Sequence, residues 1–160
     1  MPDLWLSRSW TTRPRRDGEA DDAYVFVTED RFRRHAVAGG FLEWAEFLGH
    51  LYGTPVPSAP SGSDVLLEID VQGAEQVLTQ CPEAVVILLL PPSPEVQRAR
   101  LIARGDPDEH VRRRIDKGRE EIDRGRKLAS HEVVNTRVDQ AVDELAGIVS
   151  ATRRKDLHGT

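Results

Sequence analysis

Seven consecutive apolar residues at positions 84–90, AVVILLL, restrict the fold more than any other stretch of the sequence. An uninterrupted run of this kind is typical of a strand in a parallel sheet that helices cover on both faces. The sequence PPSP follows at once. Ser93 and Pro94 indicate a helix start, because serine caps the first turn and proline suits its first position. A strand followed directly by a helix predicts an α/β protein with a parallel sheet.

The other patterns fit the same class. In the first half we predict a short strand at 4–6, a β run at 24–27, a helix at 29–38 with Thr28 as its cap, and little regular structure over most of 49–62. In the second half we predict two further strands, a buried one at 64–70 and a short one at 132–134. We also predict four helices: a short one at 73–79, one from 94 to about 104, a charged one at about 109–124 and an amphipathic one at 139–153.

Composition narrows the function classes. The 160 residues carry a formal net charge of −5, which argues against general nucleic-acid binding. Positive charge is concentrated near the N-terminus and around residues 98–126, a distribution that favours small phosphorylated ligands. Cys81 is the only cysteine, so we expect no disulfide framework and a reducing cytoplasm. The longest apolar run is too short to span a bilayer, and we therefore expect no membrane association.

An arginine-rich stretch at residues 7–19, SRSWTTRPRRDGE, is the first candidate site. It places four arginines among four hydroxyl side chains, with Pro14 between Arg13 and Arg16. Guanidinium groups match phosphate oxygens in pairs, and hydroxyls can fill the remaining hydrogen-bonding positions. The stretch therefore suits an oxyanion, although a solvated basic loop would have the same composition.

Two acids follow the predicted strand at 64–70. Glu68 and Asp70 lie two residues apart and so point the same way, at the strand end where α/β proteins bind ligands. They could hold the water ligands of Mg²⁺ or accept hydrogen bonds from a ligand. Alternatively, one of them is an N-terminal acid of the helix near Gly73. Glu68 would be costly to bury without a partner.

Aromatic residues surround a carboxylate at residues 41–54, FLEWAEFLGHLYGT. Guanine presents its N1–H and its exocyclic amine as two parallel donors, which one carboxylate can accept together. Glu43 beside Trp44 suits this chemistry, and Tyr52 and Thr54 add hydroxyls. A half-buried strand with a charged outer face would explain the same pattern.

Together these stretches resemble the guanylate kinase family, which phosphorylates GMP with ATP. The matching segments are SRSWTTRPRRDGE (7–19), GFLEWAEFLGHLYGTP (40–55), LLEIDVQGA (66–74), ILLLPPS (87–93) and RLIARG (100–105). The resemblance covers essentially the whole chain. It implies a P-loop-kinase-like parallel sheet flanked by helices, with an inserted small β/α GMP-binding segment and a helical lid. It further implies one domain over 1–160, with the GMP-binding segment at about 9–62, the core at 64–92 and 131–155, and the lid region at 94–126.

The resemblance also implies roles for individual residues. Those matching the family's GMP site are Ser9, Arg13, Arg16, Glu19, Tyr24, Glu43, Tyr52, Thr54 and Glu68. Those expected at the phosphate are Arg13, Arg16, Tyr24 and Tyr52. Those expected at the base are Glu43, Thr54 and Glu68.

The expected chemistry is ATP + GMP to ADP + GDP in purine nucleotide metabolism, with Mg²⁺ accompanying ATP. Asp70 would lie toward the metal and the transferring phosphate. Arg100, Arg104 and Arg114 would be lid arginines that neutralise the charge on the transferring group. For Arg98, Arg112 and Arg113 we expect a solvated helix face. No protein metal site is expected, and the sequence leaves the oligomeric state open.

One departure from the family is large. Its first strand, Walker-A loop and first helix are expected before the arginine stretch, whereas this sequence reaches that stretch directly after MPDLWL. No Gly-Lys dipeptide occurs, and the only lysines are Lys117, Lys127 and Lys155. The loop that cradles the ATP phosphates is therefore absent from these residues. We expect the missing strand to leave apolar edges exposed at 65–67 and 86–89.

Three hypotheses follow from the sequence. The chain is a guanylate kinase whose true start lies upstream, a binding module that holds GMP or a phosphopeptide without chemistry, or a structural remnant without a ligand. The retained arginines, tyrosines and glutamates favour the first two hypotheses. Lid arginines at Arg100 and Arg114 favour the first over the second, because a non-catalytic domain has no need for them.

Overall fold

The computed structural model describes the backbone of residues 1–158 and the side chains of residues 1–154. The chain divides into two compact units, Met1–Ala84 and Val85–Thr160.

The first unit combines strands and two helices. Its elements in chain order are β1 (Leu4–Leu6), β2 (Trp10–Thr11), β3 (Val25–Phe26), α1 (Glu29–Val37), β4 (Phe41–Phe47), β5 (His50–Pro55), β6 (Asp64–Leu66) and α2 (Val71–Gln80). A four-stranded sheet has the order β3-β2-β5-β4, and β1 pairs with β6 in parallel. Strand β4 therefore lies at one edge of the larger sheet.

A tight hairpin sets the register of β4 and β5. Leu48 and Gly49 both have positive φ, at 52° and 80°, as a two-residue type I′ turn requires. This turn opposes Phe47 to His50 and, further along, Glu43 to Thr54. The hairpin thus brings two residues of the predicted guanine site together.

An aromatic core lies between α1 and the hairpin. Thr28 caps α1 through its hydroxyl, as the sequence predicts. Phe32 on α1 is fully buried and stacks on Phe41 with ring centroids 4.4 Å apart. A Cβ at Gly53 on β5 would lie 2.9 Å from the Phe32 ring, so only glycine fits beneath that ring. Packing of α1 thereby holds the sheet that carries the candidate site.

The second unit alternates strands and helices. Its elements are β7 (Ile87–Leu90), α3 (Pro94–Ala103), α4 (Asp108–Leu128), β8 (His131–Val134) and α5 (Val138–His158). Strands β7 and β8 pair in parallel, and the Ser93 hydroxyl caps α3 by accepting from the Val96 N–H. Its buried apolar side chains are Leu90, Leu101, Val111, Val133 and Ala141. None of the described helices is both long enough and apolar enough to cross a membrane.

The α/β class is confirmed, but two predictions of burial are wrong. Strand β6 ends at Leu66 rather than at residue 70, and all three of its residues are exposed. Leu89 in β7 is 49% exposed, so β7 is not covered on both faces. Among the described strands β6 pairs only with β1, and β7 only with β8. Sheets of two strands leave apolar side chains uncovered, as at Val65 and Leu66, which are each 39% exposed.

Candidate functional site

The arginine stretch forms an ordered loop that β2 and β5 hold. The Thr12 hydroxyl accepts from the Leu51 N–H at 2.9 Å, and the Thr11 hydroxyl accepts from the Arg13 N–H at 3.1 Å. Both hydroxyl oxygens therefore hold the backbone of the loop, and Thr11 is fully buried. Arg8 closes the loop by donating to the carbonyls of Asp21 and Tyr24.

A bidentate ion pair lies at the centre of this loop. Arg13 is 9% exposed and donates to both carboxylate oxygens of Glu19, at 2.7 and 3.0 Å. Glu19 reaches back because the turn passes through Gly18 at φ 73°, and the Arg16 N–H donates to the same carboxylate at 3.0 Å. These hydrogen bonds, with that from Arg13 the largest, lower the pKa of Glu19 to about 2, and the carboxylate in turn raises the pKa of Arg13.

The Glu19 carboxylate should make stability depend on pH. Its pKa is about 2 in the folded chain against an ordinary 4.5, so its contribution of about 3 kcal/mol is present above pH 4.5 and is lost as the pH falls toward 2. We expect Glu19→Gln to lower the free energy of unfolding at pH 7 and to change it much less at pH 3. Urea unfolding of both proteins at pH 7, 5 and 3 measures this difference. A gap that stays constant across these pH values would contradict the assignment.

Two tyrosines, Tyr24 and Tyr52, lie beside the Arg13–Glu19 ion pair. These four residues form the charged end of the site. The Arg13 guanidinium carbon lies 5.5 Å from the Tyr24 ring centroid, and the Tyr24 and Tyr52 rings are 6.1 Å apart. Burial raises the pKa of Tyr24, and the negative charge of Glu68 raises it further. Tyr24 therefore keeps its phenolic proton and can donate a hydrogen bond. Two hydroxyl donors beside a fixed guanidinium suit a phosphate group.

Glu43 is a buried carboxylate on β4. It is 5% exposed, and its Oε1 accepts from the Thr54 N–H at 3.0 Å. Burial raises the pKa of Glu43, and hydrogen bonding by Thr54 opposes this rise. The Ser9 hydroxyl lies 3.4 Å from the Thr54 hydroxyl. Tyr52 and Thr54 are two residues apart on β5 and so point to the same face, about 7 Å apart. One sheet face therefore carries both the charged end and the buried carboxylate.

The two acids after β6 differ in role. The Asp70 Oδ1 accepts from the Gly73 N–H at 2.8 Å and caps α2, so the alternative prediction of a helix N-terminal acid holds for this residue. Glu68 is exposed and lies outside any strand, so the expected cost of burying it does not arise. Its negative charge nevertheless acts on Tyr24, which associates it with the charged end of the site.

The part of the chain that the structure describes forms no protein cage for a metal ion. Over the described residues no group of three or more His, Cys, Asp or Glu side chains could hold a metal ion. Mg²⁺ in nucleotide sites is commonly held by one or two carboxylates, several waters and the phosphates themselves. Asp70 uses one carboxylate oxygen as the helix cap. This donor set fits a Mg²⁺ that arrives with a nucleotide.

Two of the predicted lid arginines line a cavity in the second unit. It has a volume of about 280 Å³ and lies where β7 and β8 end, with Gln97 and Asn135 also in its wall. Arg100 donates to the carbonyls of Asn135 and Thr136, at 3.0 and 3.4 Å, and Arg104 pairs with Asp106. The buried side-chain oxygen of Asn135 has no hydrogen-bond partner.

Arg114 lies on α4 and is partly buried. The three arginines for which a solvated helix face was expected are exposed: Arg98, Arg112 and Arg113. Sequence reasoning missed Asn135 as a candidate. Its position directly after a parallel strand is the signal that could have found it.

Comparisons with known proteins identify the family of this chain. A family model described as guanylate kinase matches residues 5–152. The guanylate kinase of Thermus thermophilus is 47% identical over 158 residues, covering 95% of this chain and 71% of that protein. The guanylate kinase of Neisseria gonorrhoeae is 45% identical, covering 95% and 77%. A crystal structure of guanylate kinase from Anaplasma phagocytophilum superposes with a TM-score of 0.78 at 31% identity, covering 94% of this chain and 76% of that one.

The fold and the matched sequence define an α/β nucleotide-binding protein of the kinase class. The chain belongs to the guanylate kinase family. The resemblance that the sequence motifs suggested is therefore confirmed over nearly the whole chain.

Proposed function

We propose that the first unit binds GMP. One observation carries this proposal. The same face of the sheet presents both the fixed Arg13–Glu19 ion pair and the buried Glu43 carboxylate. A phosphate would meet the guanidinium and hydroxyl donors of Arg13, Arg16, Tyr24 and Tyr52. In this assignment Glu19 orients Arg13 rather than touching the nucleotide.

Glu43 would read the base. An ionised carboxylate accepts the guanine N1–H and the exocyclic amine together, and such charge-assisted pairs are about twice as strong as neutral hydrogen bonds. Adenine offers an acceptor at N1, so it would set an acceptor against the buried carboxylate and donate no hydrogen bond to Glu43. Thr54 and Ser9 would complete the base contacts, and Glu68 would lie at the rim.

The reaction of this site is the transfer of a phosphoryl group from ATP to GMP. A GMP phosphate oxygen forms a bond to the γ-phosphorus, and the bond from that phosphorus to the β–γ bridging oxygen breaks, so ADP leaves. We propose that Arg100, Arg104 and Arg114 bind ATP and offset the developing charge. Mg²⁺ would supply charge neutralisation at the ATP phosphates, and Asp70 would hold one of its water ligands. The proposed compartment is the cytoplasm, which suits a chain with a single cysteine.

GMP should stabilise the chain against heat. A ligand that binds only the folded state raises its stability in proportion to the logarithm of the ligand concentration over Kd. We expect millimolar GMP to raise the Tm by several degrees, with a much smaller effect from AMP. Differential scanning fluorimetry over a nucleotide series measures this shift. Equal shifts with GMP and AMP would contradict guanine recognition by Glu43.

We expect these 160 residues alone to catalyse phosphoryl transfer slowly. They contain no G-x-x-x-x-G-K-[ST] loop, whose backbone N–H groups and lysine hold the ATP phosphates. We expect this polypeptide to bind GMP and to form GDP at least about 1,000-fold more slowly than a family member with that loop. Chromatography of mixtures containing GMP, ATP and Mg²⁺ measures the product. GDP formation at rates of 1–100 s⁻¹, typical of kinases, would overturn this expectation.

Phosphopeptide binding is the alternative activity. It would use the arginine loop but would gain nothing from a buried carboxylate in a base pocket. A phosphoserine peptide is therefore expected to compete weakly with GMP. Tighter binding of such a peptide than of GMP would favour the alternative.

A further inference from the structure

Helix α2 is bonded to the backbone of the strand that carries Glu43. Strand β4 is at the sheet edge, where backbone groups that face outward lack strand partners. Gln76 on α2 accepts from the Trp44 N–H at 3.3 Å and donates to the Trp44 carbonyl at 2.9 Å. Gln80 donates to the Leu42 carbonyl at 2.8 Å. The residues on both sides of Glu43 are thus tied to one helix.

The first turn of α2 also limits the position of the Glu43 side chain. A Cβ added at Gly73 would lie 2.6 Å from the Glu43 Oε2 and 2.9 Å from its carboxylate carbon. Gly73 is buried, and the Asp70 cap fixes its N–H. The φ angle of Gly73 is not positive, so its backbone conformation does not require glycine. Glycine is required because a side chain would collide with Glu43. The carboxylate therefore rests directly against the helix backbone.

We propose that Gly73 and Gln76 are positioning residues that set the selectivity of the site for guanine over other purines. This inference rests on the proposed function, in which Glu43 accepts two parallel donors. Two such bonds form only when both carboxylate oxygens lie close to the plane of the base, since a hydrogen bond weakens steeply as its donor–hydrogen–acceptor angle departs from linear. The absence of a side chain at Gly73 lets the Glu43 carboxylate lie close to the backbone of α2. Gln76 fixes the position of strand β4, which carries Glu43. Neither residue needs to touch the nucleotide.

The test compares GMP with IMP, whose base keeps the N1–H but lacks the exocyclic amine. Calorimetric titrations give the ratio of the two Kd values for wild type, Gly73→Ala and Gln76→Ala. We expect Gly73→Ala to lower the preference for GMP about tenfold, because the displaced carboxylate keeps one bond and loses the other. Gln76→Ala should lower the preference about threefold. A purely structural role would weaken both nucleotides equally and leave the ratio unchanged.

Matched controls separate positioning from general damage to helices. Gly147→Ala also adds a methyl group to a helical glycine, but there the Cβ meets nothing within 4 Å. Thr79→Ala removes an exposed hydroxyl of α2 that bonds only within the helix. Both controls should keep the wild-type ratio. If Gly73→Ala does not fold, the Gln76→Ala ratio decides the test.

The outcomes also separate this inference from the proposed function. A wild type that does not bind GMP, or binds GMP and IMP equally, contradicts the proposed function. A wild type that prefers GMP, with variants that keep the same preference, overturns the positioning role alone.

Discussion

Replacing Glu43 by glutamine is expected to lower the affinity for GMP about 100-fold while leaving the affinity for IMP less affected. The amide can accept only through its oxygen, and its NH₂ group faces the donors of guanine. The loss of one charge-assisted bond and the repulsion of a second donor together cost about 3 kcal/mol. Isothermal titration with GMP and IMP measures both changes.

Glu46→Gln is the matched control for this substitution. Glu46 lies on the same strand but is exposed, and we expect it to leave both affinities unchanged. A similar loss of GMP affinity in both variants would indicate a general effect of charge. An unchanged affinity in Glu43→Gln would show that this carboxylate does not read the base.

Replacing Arg13 by alanine should reduce both GMP affinity and stability. The Glu19 carboxylate, 15% exposed, would lose its bidentate partner, and breaking a buried pair in this way costs about 3 kcal/mol. We also expect a decrease in GMP affinity of about 100-fold, which corresponds to about 3 kcal/mol. Urea unfolding and titration with GMP measure the two effects separately.

Arg33→Ala controls for the loss of one positive charge. Arg33 pairs with Glu29 on the exposed face of α1, where an ion pair contributes little. We expect its stability and GMP affinity to stay close to wild type. The double variant Arg13→Ala/Glu19→Gln should recover part of the lost stability but none of the lost affinity. Recovery of GMP binding in that variant would contradict a direct role for Arg13 at the phosphate.

Much of the fold could be predicted because it depends on short-range signals. Thr28 and Ser93 cap helices where the sequence predicts them, since a hydroxyl before a helix satisfies its first N–H groups. Glu43 and Thr54 meet because a tight turn fixes the register of one hairpin. The arginine loop and this hairpin, together with the segments at 66–74, 87–93 and 100–105, identified the family.

Burial was harder to predict because it depends on what packs against an element. An apolar segment such as residues 65–67 has the pattern of a core strand wherever it lies. Its exposure follows from its pairing with β1 alone among the described strands. For the same reason, the sequence could not show that Glu68 is exposed while Asp70 caps a helix.

Contacts between residues that are distant in the chain, or that have several possible partners, could not be predicted from the sequence. Glu19 pairs with Arg13 because the backbone turns at Gly18, whereas the pattern alone would equally allow a pair with Arg15 or Arg16. Gly73 lies against the Glu43 side chain and Gln76 bonds to the Trp44 backbone, although more than 25 residues of chain separate the partners. Contacts of this range depend on how α2 packs on β4, which no local pattern determines.

Calorimetric titration of the wild-type chain with GMP, IMP and AMP at pH 7.5 tests guanine recognition by this unit most directly. We expect affinities in the order GMP, IMP, AMP, with GMP bound at least about tenfold more tightly than IMP and AMP bound most weakly. This order follows from two, one and no hydrogen bonds donated by the base to Glu43. Equal affinities for the three nucleotides, or no binding of GMP, would contradict the claim that this unit is a guanine nucleotide site.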